Sequence, residues 1–174
     1  LRTVGAGVHR KRAGKIVYAG SATEICEQIV RLCFDDARRF YTTSRTSYPE
    51  LWARDWGRCA PALVALGLDT QVGDTYHFAF DVYEREGGFA LVITPDEKLL
   101  DFPTYAPDGF AFFLHGLAAL GDGTLVRRHR PLLERETARF VELVLDPDTG
   151  LARRGRHFSE AQDYVIRDAS CYTS

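Results

Sequence analysis

An all-α domain of antiparallel helical hairpins is the architecture this 174-residue sequence predicts, and three observations carry it. Apolar residues recur at helical spacing in five separate segments. Capping residues and stop glycines bound most of those segments. The connections between them alternate between very short turns and long loops rich in aromatic and charged residues.

The opening VGAGVHRKRAGKIVYAG is punctuated by glycine and holds a short β-type run from Lys15 to Ala19. Residues 1–20 therefore read as an extended or β segment, with a helical domain over 21–174. Ser21 and Glu24 form a capping box, each side chain meeting a free backbone donor. The first helix runs from there to about Tyr41, with Ile25, Ile29, Leu32, Cys33, Ala37 and Phe40 on one face. The hydroxyl-rich TTSRTS then competes with the helix backbone and ends it.

A second helix is expected from Arg58 towards Gly67, with Asp55 as a candidate N-cap. Asp69 can cap a third, through Val72, Tyr76, Ala79, Phe80 and Tyr83 to Gly87. FALVITPDEKLLDFP has β-branched residues and a Pro-Asp turn, which predicts a hairpin-like excursion near residues 89–100. Asp108 is placed to cap a fourth helix closed by Gly121, and a fifth and longest runs from about Thr124 to Leu145. Beyond it, the DPDTG turn leads into a polar stretch read as a loop or a helix start.

In a stack of antiparallel hairpins, alternate connections lie at the same end. The loops after helices one, three and five are long, whereas GLD and GDG after helices two and four are minimal. One end therefore carries elaborate loops, which is the arrangement of a binding face.

Composition narrows the function classes. A formal net charge of −2 and a pI near 6.2 give no electrostatic case for a nucleic-acid partner. No apolar run approaches the ~18 residues of a membrane helix. The four cysteines do not form a disulfide framework, because Cys26 and Cys33, seven apart on a helix, lie roughly 10 Å apart along its axis. A reducing, cytoplasmic compartment is the default, with secretion left open. No metal-ligand spacing and no GxGxxG, P-loop or GxSxG pattern occurs, so neither a metal, a cofactor nor a serine nucleophile is expected. The chain begins at Leu1 and contains no methionine, where a usage of ~2% predicts about three or four. A fragment of a longer protein, or methionine derivatives left out of the sequence, would account for both.

Three clusters on the elaborate end carry chemistry. Trp52, Arg54, Asp55 and Trp56 fit two arrangements: a helix start anchored by tryptophan, or a sugar clamp in which an indole stacks on the ring and Arg and Asp fork onto hydroxyls. Tyr105 and Asp108 follow a stretch stiffened by Pro103 and Pro107, where Asp108 can equally serve as a helix cap. His157, Glu160, Asp163 and Asp168 lie close together with Arg156 and Arg167, as a surface polar loop or as a site.

WARD before an apolar helix, FPTYAPDGFAFFLHGLAAL and HFSEAQDYVIRDASCYTS together resemble the N-terminal half of the six-hairpin glycosidase superfamily, nearest to glucoamylase-like and debranching enzymes. That resemblance implies part of an (α/α)6 toroid, with the substrate pocket at the long-loop end. It implies hydrolysis of α-glucosyl oligosaccharides or polysaccharides by an inverting pair of carboxylic acids, one protonating the leaving oxygen and one activating water. Arg54 and Asp55 would hold the terminal sugar beside Trp52, with Tyr105, Asp108 and His157 bordering the pocket. Asp163 would be the acid, with Glu160 as runner-up, and the base would come from a second half of the toroid. A non-catalytic carbohydrate-binding protein and a helical scaffold are the competing readings. Trp56, facing the following helix, is expected to pack.

Overall fold

The computed structural model describes residues 17–45, 47–100, 105–151 and 153, with the backbone alone of 156–158 and 166–168. The fold is predominantly α-helical. Among the described residues it contains α1 (Ala22–Cys33), α2 (Ala53–Ala65), α3 (Asp69–Glu86), α4 (Pro107–Leu120), α5 (Gly123–Arg128) and α6 (Arg130–Val144). Short antiparallel strands occupy the long connections: β1 (Phe34–Asp35) with β2 (Phe40–Tyr41), then β3 (Leu51–Trp52), β4 (Val92–Ile93) and β5 (Leu99–Leu100) in one sheet, and β6 (Arg156–Phe158) with β7 (Ile166–Asp168).

The capping box forms as the sequence predicts, with Ser21 accepting from the Glu24 amide and the Glu24 carboxylate accepting from the Ser21 amide at 2.7 Å. The helix it opens is shorter than expected, stopping at Cys33. The Asp35 carboxylate accepts from the Ala37 and Arg38 amides, both at 3.1 Å, and so offers the backbone a turn instead of a helix. Ala37 and Phe40 thus leave the helical face, and Phe40 becomes a buried strand residue stacked on Phe78 at 4.1 Å. No residue of α1 is fully buried, and Ile29 and Leu32 stay substantially exposed. At residues 17–20 no strand forms, and residues 1–16 lie outside the described chain.

Helix α2 starts five residues before the expected Arg58 and takes most of the Trp-Arg-Asp-Trp motif into its first turn. Trp52, not Asp55, is its cap residue, and no side chain caps it. Asp69 and Asp108 likewise stand inside the first turns of α3 and α4, where a carboxylate still complements the helix dipole. The stop glycines behave as predicted: Gly87 and Gly121 adopt left-handed conformations at φ 94° and 70°. The expected fifth helix is broken at His129. Pro131 has no amide to donate back to Arg127, so α5 ends and α6 begins there. The 89–100 excursion is a hairpin as expected, with Val92 opposite Leu100. It also recruits β3, pairing Leu51 with Ile93 and Trp52 with Val92.

Helices α2 and α4 run parallel and touch closely. A Cβ on Gly57 would fall 2.0 Å from the Phe112 carbonyl oxygen, and one on Gly116 would fall 2.9 Å from the Ala60 Cβ. Only glycine permits that approach. Helix α3 packs antiparallel to both. Its Tyr76 hydroxyl donates to the Phe113 carbonyl at 3.0 Å, and its Phe80 ring meets Phe113 edge-on. The core is a continuous aromatic cluster of Phe40, Tyr41, Trp56, Tyr76, Phe80, Tyr83, Phe89, Phe110 and Phe113. Because α2 and α4 are parallel, their N-termini share one end, where the long connections also arrive.

Candidate functional site

At that end, β3 feeds α2 and residues 105–106 feed α4, so the side chains of the two first turns meet. Arg54 grips Asp108 side-on, with Nη2 donating to Oδ1 at 3.1 Å and Nε lying 2.9 Å from Oδ2. The two side chains are only 5% and 9% exposed. Burial pushes the Asp108 carboxyl above its ordinary range, against the charge and hydrogen bond of Arg54, which pull it down.

Around this pair the other predicted residues are held by packing. Trp52 lies against Leu91, Val92 and Ala106 and meets the Tyr48 ring edge-on at 6.1 Å. Its amide donates to the Thr43 hydroxyl at 3.1 Å. Tyr105 is half-buried, 6.5 Å from the Phe140 ring, with the Arg139 guanidinium over its face at 5.4 Å. Trp52, Arg54, Tyr105 and Asp108 therefore gather at one junction, but as a packed and ion-paired joint.

Asp55 points elsewhere. It is exposed, about 100° round α2 from buried Arg54, and lines a groove of about 290 Å³ between α1 and α2. The walls include Tyr41, Trp56, Leu51 and Leu63, with Thr42 and Thr43 adding hydroxyls. Trp56 packs as expected: it stacks on Tyr41 at 5.7 Å and tilts against Tyr76 at 5.5 Å. A second groove, on the other flank of α1, is lined by Cys26, Glu27, Phe34 and Leu68 among others. Neither groove is lined by Trp52, Arg54, Tyr105 or Asp108. The sugar clamp expected of Arg54 and Asp55 together is thus divided between two sides of one helix.

The third cluster is a two-stranded ribbon where it is described, rather than a loop or helix start, with His157 opposite Arg167 and Arg156 opposite Asp168. The His157 side chain, Glu160 and Asp163 lie outside the described residues.

Two polar centres on α5 and α6 were not anticipated. Glu136 is buried, with Arg135 Nε at 3.2 Å and Arg139 Nη1 at 3.4 Å, and those arginines also reach the carbonyls of Gly87 and Phe89. His129 is fully buried, stacked on Phe80 at 4.3 Å, with Nδ1 2.7 Å from a Glu84 oxygen. A carboxylate flanked by arginines at i−1 and i+3 is the signal for the first; the helix break at Pro131 is the signal for the second.

No family model, curated protein or solved structure matches the chain.

Proposed function

We propose that this chain is part of a helical glycoside hydrolase-like protein acting on α-glucosyl oligosaccharides, and that Asp55 is the residue that meets the sugar. The observation that carries this reading is the exposed Asp55 carboxylate on a groove walled by Tyr41 and Trp56 and edged by Thr42 and Thr43. A pyranose presents apolar C–H faces to aromatic rings and hydroxyls to carboxylates, so this chemistry fits it. The parallel α2 and α4, opening on the long-loop end, also accord with part of an (α/α) toroid. Arg54 and Asp108 then act as a brace that sets the pitch of α2 and hence the position of Asp55. Asp163, with Glu160 behind it, is the proposed acid, and the second carboxylate belongs to a part of the protein beyond this chain.

Calorimetric titration of the full chain with maltooligosaccharides tests the binding step. Saturable binding is expected, weakened about tenfold in Asp55→Asn by loss of a charge-assisted hydrogen bond. Absence of binding, or equal affinity in a folded Asp55→Asn, refutes the reading. A second reading, a helical scaffold without catalysis, is favoured by the full use of Arg54 and Asp108 in holding two helices together. Turnover of α-glucosides by a longer protein containing this chain would eliminate it.

A further inference from the structure

Among the described helices, α1 alone has no fully buried residue, although a complete capping box makes it a well-formed helix. It runs between two cavities. One, of about 290 Å³, separates it from α2; the other, of about 550 Å³, reaches Leu66, Leu68 and Gln71. Val30 and Tyr41 line both, so the ridge between the cavities is where α1 bears on the body. Tyr41 is buried there and Val30 packs partly buried against the core.

The two ends of the helix are held differently. At the C-terminal end the Cys33 carbonyl accepts from the Thr42 amide at 2.8 Å and from its hydroxyl at 3.1 Å. Phe34 then pairs with Tyr41 in the β1–β2 hairpin, their rings 4.9 Å apart. Towards the N-terminal end the Gln28 side chain donates to the carbonyl of Ala19, itself exposed. The two flanks differ as well. Towards α2 the helix presents Ile29, Val30 and Cys33, across from Leu51, Trp56 and Leu63. Towards the larger cavity it presents Thr23, Glu27 and Arg31 beside Cys26 and Val30. A swing towards α2 takes Ile29, 40% exposed, out of water against apolar walls. The opposite swing would desolvate Glu27 and Arg31, which is unfavourable.

We infer that α1 is a hinged flap over the Asp55 groove: it pivots at Cys33 and Phe34, and its N-terminal end swings towards α2, bringing Ile29 onto Trp56 and Leu63. The capping box keeps α1 helical through the swing. An element with few buried contacts opens at low cost, which is what a binding-site flap requires. Open, the flap admits a ligand; closed, it narrows the groove and excludes water around Asp55. What the flap admits rests on the sugar reading above, whereas the motion belongs to the free chain.

Pulsed electron paramagnetic resonance on the full chain tests this, with spin labels at Ala22→Cys and Ala62→Cys and the four native cysteines replaced by serine. Two label separations are expected in the free chain. Ile29→Asp should deplete the shorter about tenfold, because a carboxylate resists burial there. Glu27→Gln, on the other flank, should leave the ratio unchanged. In the unmodified chain, amides of residues 22–28 should exchange at least about tenfold faster than those of α3. A single separation, a ratio indifferent to Ile29→Asp, or α1 amides protected as well as those of α3 overturns the inference. A ratio that moves with Glu27→Gln does so too, since the swing would then enter the other cavity. Maltooligosaccharide should enrich the shorter separation. Sugar that binds by calorimetry without doing so refutes the flap; sugar that does not bind refutes the sugar reading alone, and the free-chain measurements still decide the flap.

Discussion

Replacing Asp108 by Leu should destabilise the protein by about 3 kcal/mol, and replacing Arg54 at the same time should restore most of that loss. The size follows from the joint itself. Two unit charges about 4 Å apart interact by about 4 kcal/mol at an effective dielectric constant near 20. With the side chains 5% and 9% exposed, solvent screens this pair little. Removing one partner of a buried pair costs about 3–5 kcal/mol, because the remaining charge keeps its desolvation penalty and loses its compensation. Replacing both partners by apolar groups of similar volume is often close to neutral. Asp108→Leu and Arg54→Met should therefore each cost about 3 kcal/mol and the double variant only about 1 kcal/mol, a coupling of about 5 kcal/mol. Urea unfolding followed by circular dichroism at the helical band measures all four corners. For a urea slope of about 1–3 kcal/mol/M, each single variant should lower the midpoint by about 1–3 M. Losses that simply add in the double variant, or a midpoint unmoved by Asp108→Leu, would refute the claim that this pair braces α2 against α4.

Four further outcomes test the packing and the electrostatics. Gly57→Ala should cost more than about 3 kcal/mol or prevent folding, since its Cβ would lie 2.0 Å from a backbone oxygen that no side-chain rotation can move. Gly73→Ala, in α3 with nothing within 4 Å of the added carbon, should instead stabilise by about 0.5–1 kcal/mol in the same assay. The Asp108 carboxyl is raised above 3.8, so the folded state holds its proton more tightly than the unfolded chain does. Its contribution is therefore fully present below that value and declines as pH rises through the folded one. The stability of the wild type minus that of Asp108→Asn should fall across this window in pH-dependent urea melts; a rise would show that Arg54 outweighs burial. Asp122 has the opposite sign, because the Leu125 and Thr124 amides lower its carboxyl. Its contribution is present above the ordinary range and is lost as pH falls through the lowered value, so Asp122→Asn should flatten the acid limb.

Local signals in the sequence were legible and mostly correct. The Ser21–Glu24 box, the glycines at 87 and 121, and the Pro-Asp turn of the 89–100 hairpin each act within a few residues. Helix lengths were less legible wherever a side chain competed with the backbone. Asp35 turned the chain after Cys33, and Pro131 broke the long C-terminal helix, although both residues stand in plain view. The apolar period through Phe40 continued past the point where the helix stopped, because a short buried hairpin can use the same residues.

The sequence by itself determined that this protein is built from helices joined by alternately short and long connections. It also placed Trp52, Arg54, Asp55, Tyr105 and Asp108 at the long-loop end. Caps, glycines and periodicity decide such matters locally, without reference to the rest of the chain. Only the tertiary structure decided who pairs with whom. Adjacent residues on a helix point about 100° apart, so Arg54 and Asp55 face different neighbours despite being consecutive. Which neighbours those are depends on where α2 crosses α4, and that crossing is set by the close approach at Gly57 and Gly116. Arg54 thereby meets Asp108, 54 positions away, while Asp55 is left on the groove.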